Sequence, residues 1–118
     1  MGSAEIDAYI ANFDLPTRVW LQTVRESLLS LLPKSEEAIS YQIIGFKSEG
    51  KFLLYISGWK KHCSIHGTSK LLAAEIAEQY PSETKLVGTT LHFKPETLPS
   101  DALLNDIVRR RIEIARRG

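Results

Sequence analysis

Cysteine and long apolar runs are almost absent from this sequence. It has a single cysteine, Cys63, in 118 residues, which excludes an internal disulfide framework and is typical of a reducing compartment. No apolar run approaches the roughly 20 residues that cross a bilayer, and the N-terminal segment lacks the apolar stretch of a signal peptide. We therefore expect a soluble cytoplasmic protein with no membrane segment.

An excess of charge of either sign is also missing. The 15 basic residues are balanced by 14 acidic ones, for a net charge of +1, so no overall field attracts nucleic acid or an anionic membrane. Arginines are concentrated at 109–111 and 116–117, where the negative end of a helix favours them. A nucleic-acid-binding edge is the alternative interpretation, but the interleaved aromatic residues typical of such a surface are missing.

Complete motifs for catalysis or cofactor binding are absent as well. The sequence has no glycine-rich phosphate loop, no CxxC pair and no HExxH motif. Cys63 is adjacent to His62, but neighbouring side chains of a strand leave opposite faces and cannot share a proton. We expect Cys63 to be a buried, unreactive thiol, and we expect a protein that is not an enzyme.

What the sequence does contain is the composition of one globular domain, assigned to residues 1–118, with 43% hydrophobic and 25% charged residues. Apolar residues at helical spacing predict four helices. These stripes run from Ile6 to Phe13, from Trp20 to Leu32, from Leu72 to Tyr80 and from Leu104 to Ala115. Pro33 and Pro81 are expected to end the second and third helices.

A period of two replaces the helical spacing between Glu37 and His66, which predicts roughly three antiparallel strands. Their expected positions are 39–44, 52–57 and 61–66, with a further strand at 88–94 and a hairpin turn at Gly50. In the second strand Phe52 is expected to share a face with Leu54, opposite Leu53.

The order of these elements predicts an α+β fold. We expect two N-terminal helices, a mainly antiparallel sheet of about five strands, and further helices, including a C-terminal one packed on the sheet.

One polar face of this sheet is the candidate binding surface, because alternate strand positions project on the same side. The residues assigned to it are Tyr41, Tyr55, Trp59, His62, Ser64, His66 and His92. Neutral imidazoles bind zinc, iron and copper, so His62, His66 and His92 are candidate metal ligands. The alternative is that they are hydrogen-bonded histidines of a half-exposed sheet, since no carboxylate falls at a spacing that completes a ligand set.

The order of short motifs resembles the YdhG-like family of small bacterial domains, over nearly the whole chain. The matching segments are 6–10, the leucine-rich helix ending at Pro33, 37–41 with its Ile-Ser-Tyr, 50–55, 60–62 with its Lys-x-His, and 88–93. The family often has proline shortly after that tyrosine, where this chain has Ile43-Ile44-Gly45. The resemblance implies an α+β fold and, as in frataxin-like iron chaperones, ferrous iron binding and delivery to iron–sulfur cluster assembly.

Two classes of function remain open from the sequence. The first is a non-enzymatic binding domain that takes iron or a small molecule on the polar sheet face. The second is a protein-interaction module, such as a homodimer formed through an exposed aromatic patch. Dispersed acidic residues give little support to a frataxin-like iron site, which depends on acidic clusters.

Overall fold

The computed structural model describes residues 2–117, with side chains from residue 4 onwards. The helices are α1 (Gly2–Ala11), α2 (Leu15–Leu31), α3 (Lys70–Gln79) and α4 (Asp101–Arg117). The strands are β1 (Ser35–Ser40), β2 (Ile43–Ser48), β3 (Lys51–Gly58), β4 (Cys63–His66), β5 (Lys85–Val87) and β6 (Thr90–Phe93). Within residues 2–117, no helix is long and apolar enough to cross a membrane.

The six strands form one antiparallel sheet in the order β1-β2-β3-β4-β6-β5. This confirms the predicted α+β class, with two N-terminal helices, an antiparallel sheet and a C-terminal helix against it. The sheet has six strands, whereas the sequence located four of the roughly five expected: the first predicted strand is in fact two strands, β1 and β2, and β5 was not predicted. β5 has three residues, all of them exposed, so it lacks the alternation of apolar residues that marks a half-buried strand.

The expectation of one strand across residues 39–44 was wrong, because a two-residue turn divides it. Ser40 pairs with Ile43, and Tyr41 and Gln42 between them have φ values of 54° and 64°. A two-residue hairpin turn of this kind, with positive φ at both positions, normally contains glycine, asparagine or aspartate. None of these occupies positions 41–42, so the sequence does not signal the turn. Ile44, at the position where the family often has proline, is fully buried within β2.

A bulge in β3 overturns the expected faces of Phe52 and Leu53. Phe46 pairs with Leu54 and Lys47 with Phe52, which leaves Leu53 as an extra residue. The Leu53 side chain is buried on the helix side, and the Nε of Arg111 donates hydrogen bonds of 3.0 Å to the carbonyl oxygens of Leu53 and Gly67. Phe52 instead stacks on Tyr55, with ring centroids 5.5 Å apart.

All four helices contribute to a single core against one face of the sheet. Gly58 shows how close this packing is, since a Cβ there would lie 2.9 Å from Thr17 and 3.0 Å from Leu21. The fully buried large side chains include Trp20, Leu21 and Leu28 of α2, Ile44, Phe46, Leu54, Ile56, Ile65 and Leu91 of the sheet, and Leu72 and Ile76 of α3. The sheet therefore has one face covered by helices and one face that they leave free.

Arg25 joins three elements at the edge of this core. Its guanidinium donates to both carboxylate oxygens of Glu37 on β1, at 2.7 and 2.6 Å, and to Asp7 on α1 at 2.8 Å. The Arg25 and Glu37 side chains are each 9% exposed, whereas Asp7 is 69% exposed. The hydrogen bond to Glu37 is the largest cause of the raised pKa of Arg25. The helical spacing of the second predicted helix puts Arg25 on its water-facing side, and Glu37, just before the first predicted strand, is expected to be solvent-exposed; the structure shows that both expectations are wrong.

Breaking the Arg25–Glu37 pair should destabilise the protein strongly. Glu37→Ala leaves a buried guanidinium without its bidentate partner, which costs about 3–5 kcal/mol. Asp7→Ala is the matched control, because an exposed partner contributes about 0–1 kcal/mol. Urea unfolding followed by circular dichroism measures both variants. Equal losses of unfolding free energy would contradict the assignment of Glu37 as the principal partner.

Candidate functional site

The face of the sheet opposite the helices, here called the open face, carries all seven residues that the sequence assigned to it. The strand register fixes the strand positions: Tyr55 lies opposite His66, and Ser64 lies between Ser57 and His92 on the neighbouring strands. Tyr41, Trp59 and His62 reach the same face from turns. The strand pairing puts Tyr55, Ser64, His66 and His92 on one face, as the alternation in the sequence indicated, and ligand binding there stays a prediction.

Three rings stack above β4 and β6. The turn from β3 to β4 is closed by a 2.9 Å hydrogen bond from the backbone N–H of Trp59 to the carbonyl of His62. The Trp59 and His62 rings are nearly parallel, with centroids 6.0 Å apart, and the His62 and His92 rings follow at 4.2 Å with 13° between planes. This stack lies above the row of Ser57 and Ser64, whose side chains are fully buried.

His66 belongs to a hydrogen-bond network beneath the stack. The indole N–H of Trp59 donates to the Ser57 hydroxyl at 2.8 Å, and that hydroxyl lies 2.7 Å from the Nε2 of His66. We assign the Ser57 proton to this second contact, which makes His66 a neutral imidazole protonated on Nδ1, facing Thr90 at 3.4 Å. Burial, followed by His92 and His62, lowers the pKa of His66.

Ser57 and His66 have the atoms of a nucleophile and a base, but the Ser57 hydroxyl has no solvent access. A nucleophile must reach its substrate, which a fully buried hydroxyl does not. The alternation of the predicted strand 52–57 puts Ser57 on the same face as Tyr55, and this was the available signal, but sequence reasoning did not recognise Ser57 as the partner of His66.

A groove of about 510 Å³ opens beside the ring stack, at the edge of the sheet. His62 and His92 form part of its wall, and the connection from α3 to β5 and the turn after β6 form the rest. Its lining residues are Lys61, His62, Pro81, Ser82, Glu83, Thr84, Lys85, His92, Phe93, Lys94 and Thr97. Sequence reasoning missed the lysines, because segments without regular periodicity bring them together.

Electrostatics in the groove are dominated by positive charge. Lys85 lies directly opposite His92 on β5. Burial, followed by the nearby His62 and Lys85, lowers the pKa of His92. The one carboxylate of the lining, Glu83, accepts hydrogen bonds from the backbone N–H of Ser100 at 2.6 Å and from its hydroxyl at 2.8 Å. The Glu83 carboxylate is therefore already hydrogen-bonded to the residue that precedes α4.

The open face also carries an aromatic row, formed by Tyr41 from the turn between β1 and β2 and by Phe52 and Tyr55 of β3. The Tyr41 and Tyr55 rings meet edge to face at 5.9 Å, and Tyr55 stacks on Phe52, over which the Lys47 ammonium lies 5.0 Å from the centroid. Gly45 makes room for these rings, since a Cβ there would lie 2.6 Å from Phe52. Of the seven predicted residues, Tyr41 and Tyr55 therefore belong to the aromatic row and His62 and His92 to the groove wall, whereas Trp59, Ser64 and His66 lie in or beneath the ring stack.

The histidines are not arranged as a metal site. Across the described side chains, residues 4–117, no group of three or more histidine, cysteine, aspartate or glutamate residues converges as a ligand set. The lone pair of an imidazole lies in its ring plane, so rings stacked face to face do not aim at a common ion. Cys63 is buried on the helix face, and burial raises the pKa of its thiol to about 12. A protonated, inaccessible thiol is inert, as expected.

Comparison with known proteins finds similarity in fold and none in sequence families. No family model and no curated protein matches the sequence. A crystal structure of YdhG, a DUF1801-family protein from Bacillus subtilis, has a TM-score of 0.82 to this chain and covers 98% of it and 94% of that protein, at 17% identity. The two proteins share a fold. This supports the architecture that the resemblance implied, and it assigns no ligand.

Acidification should destabilise the protein through His66. Its pKa is lowered in the folded state, so the unfolded chain binds the proton more tightly and stability falls as the pH drops through the unfolded value near 6.5. The change levels off below the folded pKa. His66→Gln removes this titration and should flatten the dependence of the urea midpoint between pH 8 and pH 5. An unchanged slope in that variant would show that other groups cause the acid sensitivity.

Proposed function

We propose that this protein is a non-catalytic binding domain of the YdhG-like type that takes a small molecule in the groove beside His62 and His92. The family assignment is supported by the motif order of the sequence together with the fold shared with the Bacillus subtilis DUF1801 protein. The observation that carries the binding function is the groove itself. It has the volume of small-molecule sites and a wall of stacked rings next to convergent polar groups.

The ring stack is suited to present a ligand surface because its own geometry is already fixed. The backbone hydrogen bond from Trp59 to His62 fixes the turn that carries His62, and the hydrogen bond from the indole N–H to the Ser57 hydroxyl fixes the Trp59 ring. A preorganised wall reduces the conformational entropy that binding has to remove. The role proposed for His66 is to position this wall, since its ring is engaged with Ser57 rather than with the groove.

Ferrous iron binding and delivery, which the family resemblance implies, is a competing proposal for the same face. Imidazole nitrogen is a suitable ligand for iron, and three histidines do lie within one region of the open face. The stacked ring planes and the lysines beside them count against a preformed cation site. We therefore rank small-molecule binding above iron binding.

A screen of small-molecule pools by amide and histidine NMR shifts tests the proposed function. Ligands of the groove should shift His62, His92 and the 81–85 segment in a saturable manner. His92→Ala should weaken such a ligand about tenfold or more, the equivalent of about 1.4 kcal/mol. Tyr41→Ser, on the same face but outside the groove, should leave the affinity unchanged. Saturable shifts confined to other surfaces would overturn the assignment of the site.

The same spectra should be measured in an anaerobic titration with ferrous iron. Saturable broadening at His62, His66 and His92 would favour the iron proposal over the small-molecule one. Broadening at acidic surface positions would move the iron site away from the open face.

A second candidate function is self-association through the aromatic row. Tyr41 of this row is 84% exposed, and Trp59 of the ring stack on the same face is 48% exposed. Large exposed aromatic side chains are enriched at interfaces. None of Tyr41, Phe52 and Tyr55 lines the groove, so self-association through the row is compatible with a ligand there.

Sedimentation equilibrium over a hundredfold range of protein concentration tests the dimer. A mass that rises towards twice the monomer value, and that returns to the monomer in Tyr41→Ser, is the expected result because Tyr41 is the most exposed aromatic side chain of the row. Val19→Ser, an exposed apolar residue on α2, is the control. A mass that stays monomeric throughout would exclude self-association.

A further inference from the structure

We propose that the ligand of the groove is a small anion, carrying a phosphate or several carboxylate groups, which is bound between the lysines and the histidine wall. This inference rests on the proposed function and specifies the chemical class of its ligand. It follows from the lysines that line the groove and from the hydrogen bonds between Ser100 and Glu83, the one carboxylate among the described lining residues.

Three lysines of the lining, Lys61, Lys85 and Lys94, come from three separate segments. All three are exposed, and none takes part in the ion pairs found between described residues. Long cationic side chains that converge without an internal counter-ion create a local positive potential, although the net charge of the whole chain is only +1. This potential favours an anionic ligand.

The carboxylate of Glu83 does not neutralise the groove. Both of its oxygens accept hydrogen bonds from Ser100, one from the backbone N–H and one from the hydroxyl. This contact fixes the connection before β5 against the start of α4. The groove therefore keeps three ammonium groups. The hydroxyls of Ser82 and Thr97 in its lining can also donate to an anion, whereas the Thr84 hydroxyl already donates to the carbonyl oxygen of Tyr80 at 3.0 Å.

The imidazoles add donors that respond to the ligand. The groups facing His92 are His62 in the stack, Lys85 on β5 and His66 on β4. Protonation of His92 would add a positive charge beside that of Lys85, so it is opposed when no ligand is bound. A bound phosphate or carboxylate reverses this opposition, because an adjacent negative charge stabilises the imidazolium form. A bound metal ion requires the neutral ring and has the opposite effect.

Titration with inorganic phosphate and with citrate, at low ionic strength and pH 6.5, tests the proposal. We expect saturable NMR shifts at His92 and in the 81–85 segment, and an affinity that falls as salt is added. The double variant Lys85→Gln/Lys94→Gln should weaken binding about tenfold, whereas Lys51→Gln, an exposed lysine elsewhere, should change it less than about twofold. Equal effects in the two variants would overturn the proposed site, since they would indicate diffuse attraction.

The histidine titration distinguishes the ligand classes. Saturating phosphate or citrate should raise the pKa of His92 in the intact protein, and Zn²⁺, a redox-inert probe for divalent metals, should lower it if a metal is the ligand. A raised value confirms an anion site, and a lowered value with Zn²⁺ alone overturns it. Failure of both anions, together with saturable binding of a neutral compound at His92, overturns the anion inference and preserves the proposed function. No saturable ligand at His92 of any class would overturn both.

Discussion

The one-sided covering of the sheet is the constraint on which the rest of this structure depends. All four helices contribute to one core, so the other face of six strands has to be stable without a second layer. The side chains along the strands alternate accordingly: apolar residues point to the helices, and polar or aromatic residues point to the open face. Stacked rings then cover the strand backbone where polar groups are buried. Ser57 and Ser64 are fully buried on that face by such side chains rather than by a helix.

The sequence was sufficient to predict the helices, the hairpin at Gly50 and the common face of Tyr55, Ser64, His66 and His92. Each of these follows from a local signal: helical spacing, a positive-φ glycine, or a period of two. The turn at Tyr41 was not predictable in this way, because Ile39, Tyr41 and Ile43 continue the alternation through it. The bulge at Leu53 was equally hidden, since a long-range contact from Arg111 to the Leu53 carbonyl accompanies the change of face.

The groove was beyond sequence reasoning for a different physical reason. Its position depends on β5 and β6 joining the sheet beside β4 in the order β4-β6-β5, and strand order is not encoded in periodicity. Lys85 appears in the sequence as part of a polar connection, but it lies opposite His92 in the sheet. Topology thus converts separated lysines into one charged surface. The pairing of Glu37 with Arg25 likewise depends on the tertiary fold. In the sequence Glu37 follows Glu36 in a polar segment, which indicates an exposed residue.

The two faces of the sheet also differ in how they accommodate ionisable side chains. On the helix side, the buried guanidinium of Arg25 is compensated by carboxylates within the protein. On the groove side, His66 and His92 have lowered pKa values because burial and neighbouring positive groups oppose their protonation. These two imidazoles need no counter-ion because they are neutral, and they stay neutral while the pH is above their pKa values. In the proposed function an anionic ligand would supply the missing counter-charge, so binding and the stability of the open face would depend on the same side chains.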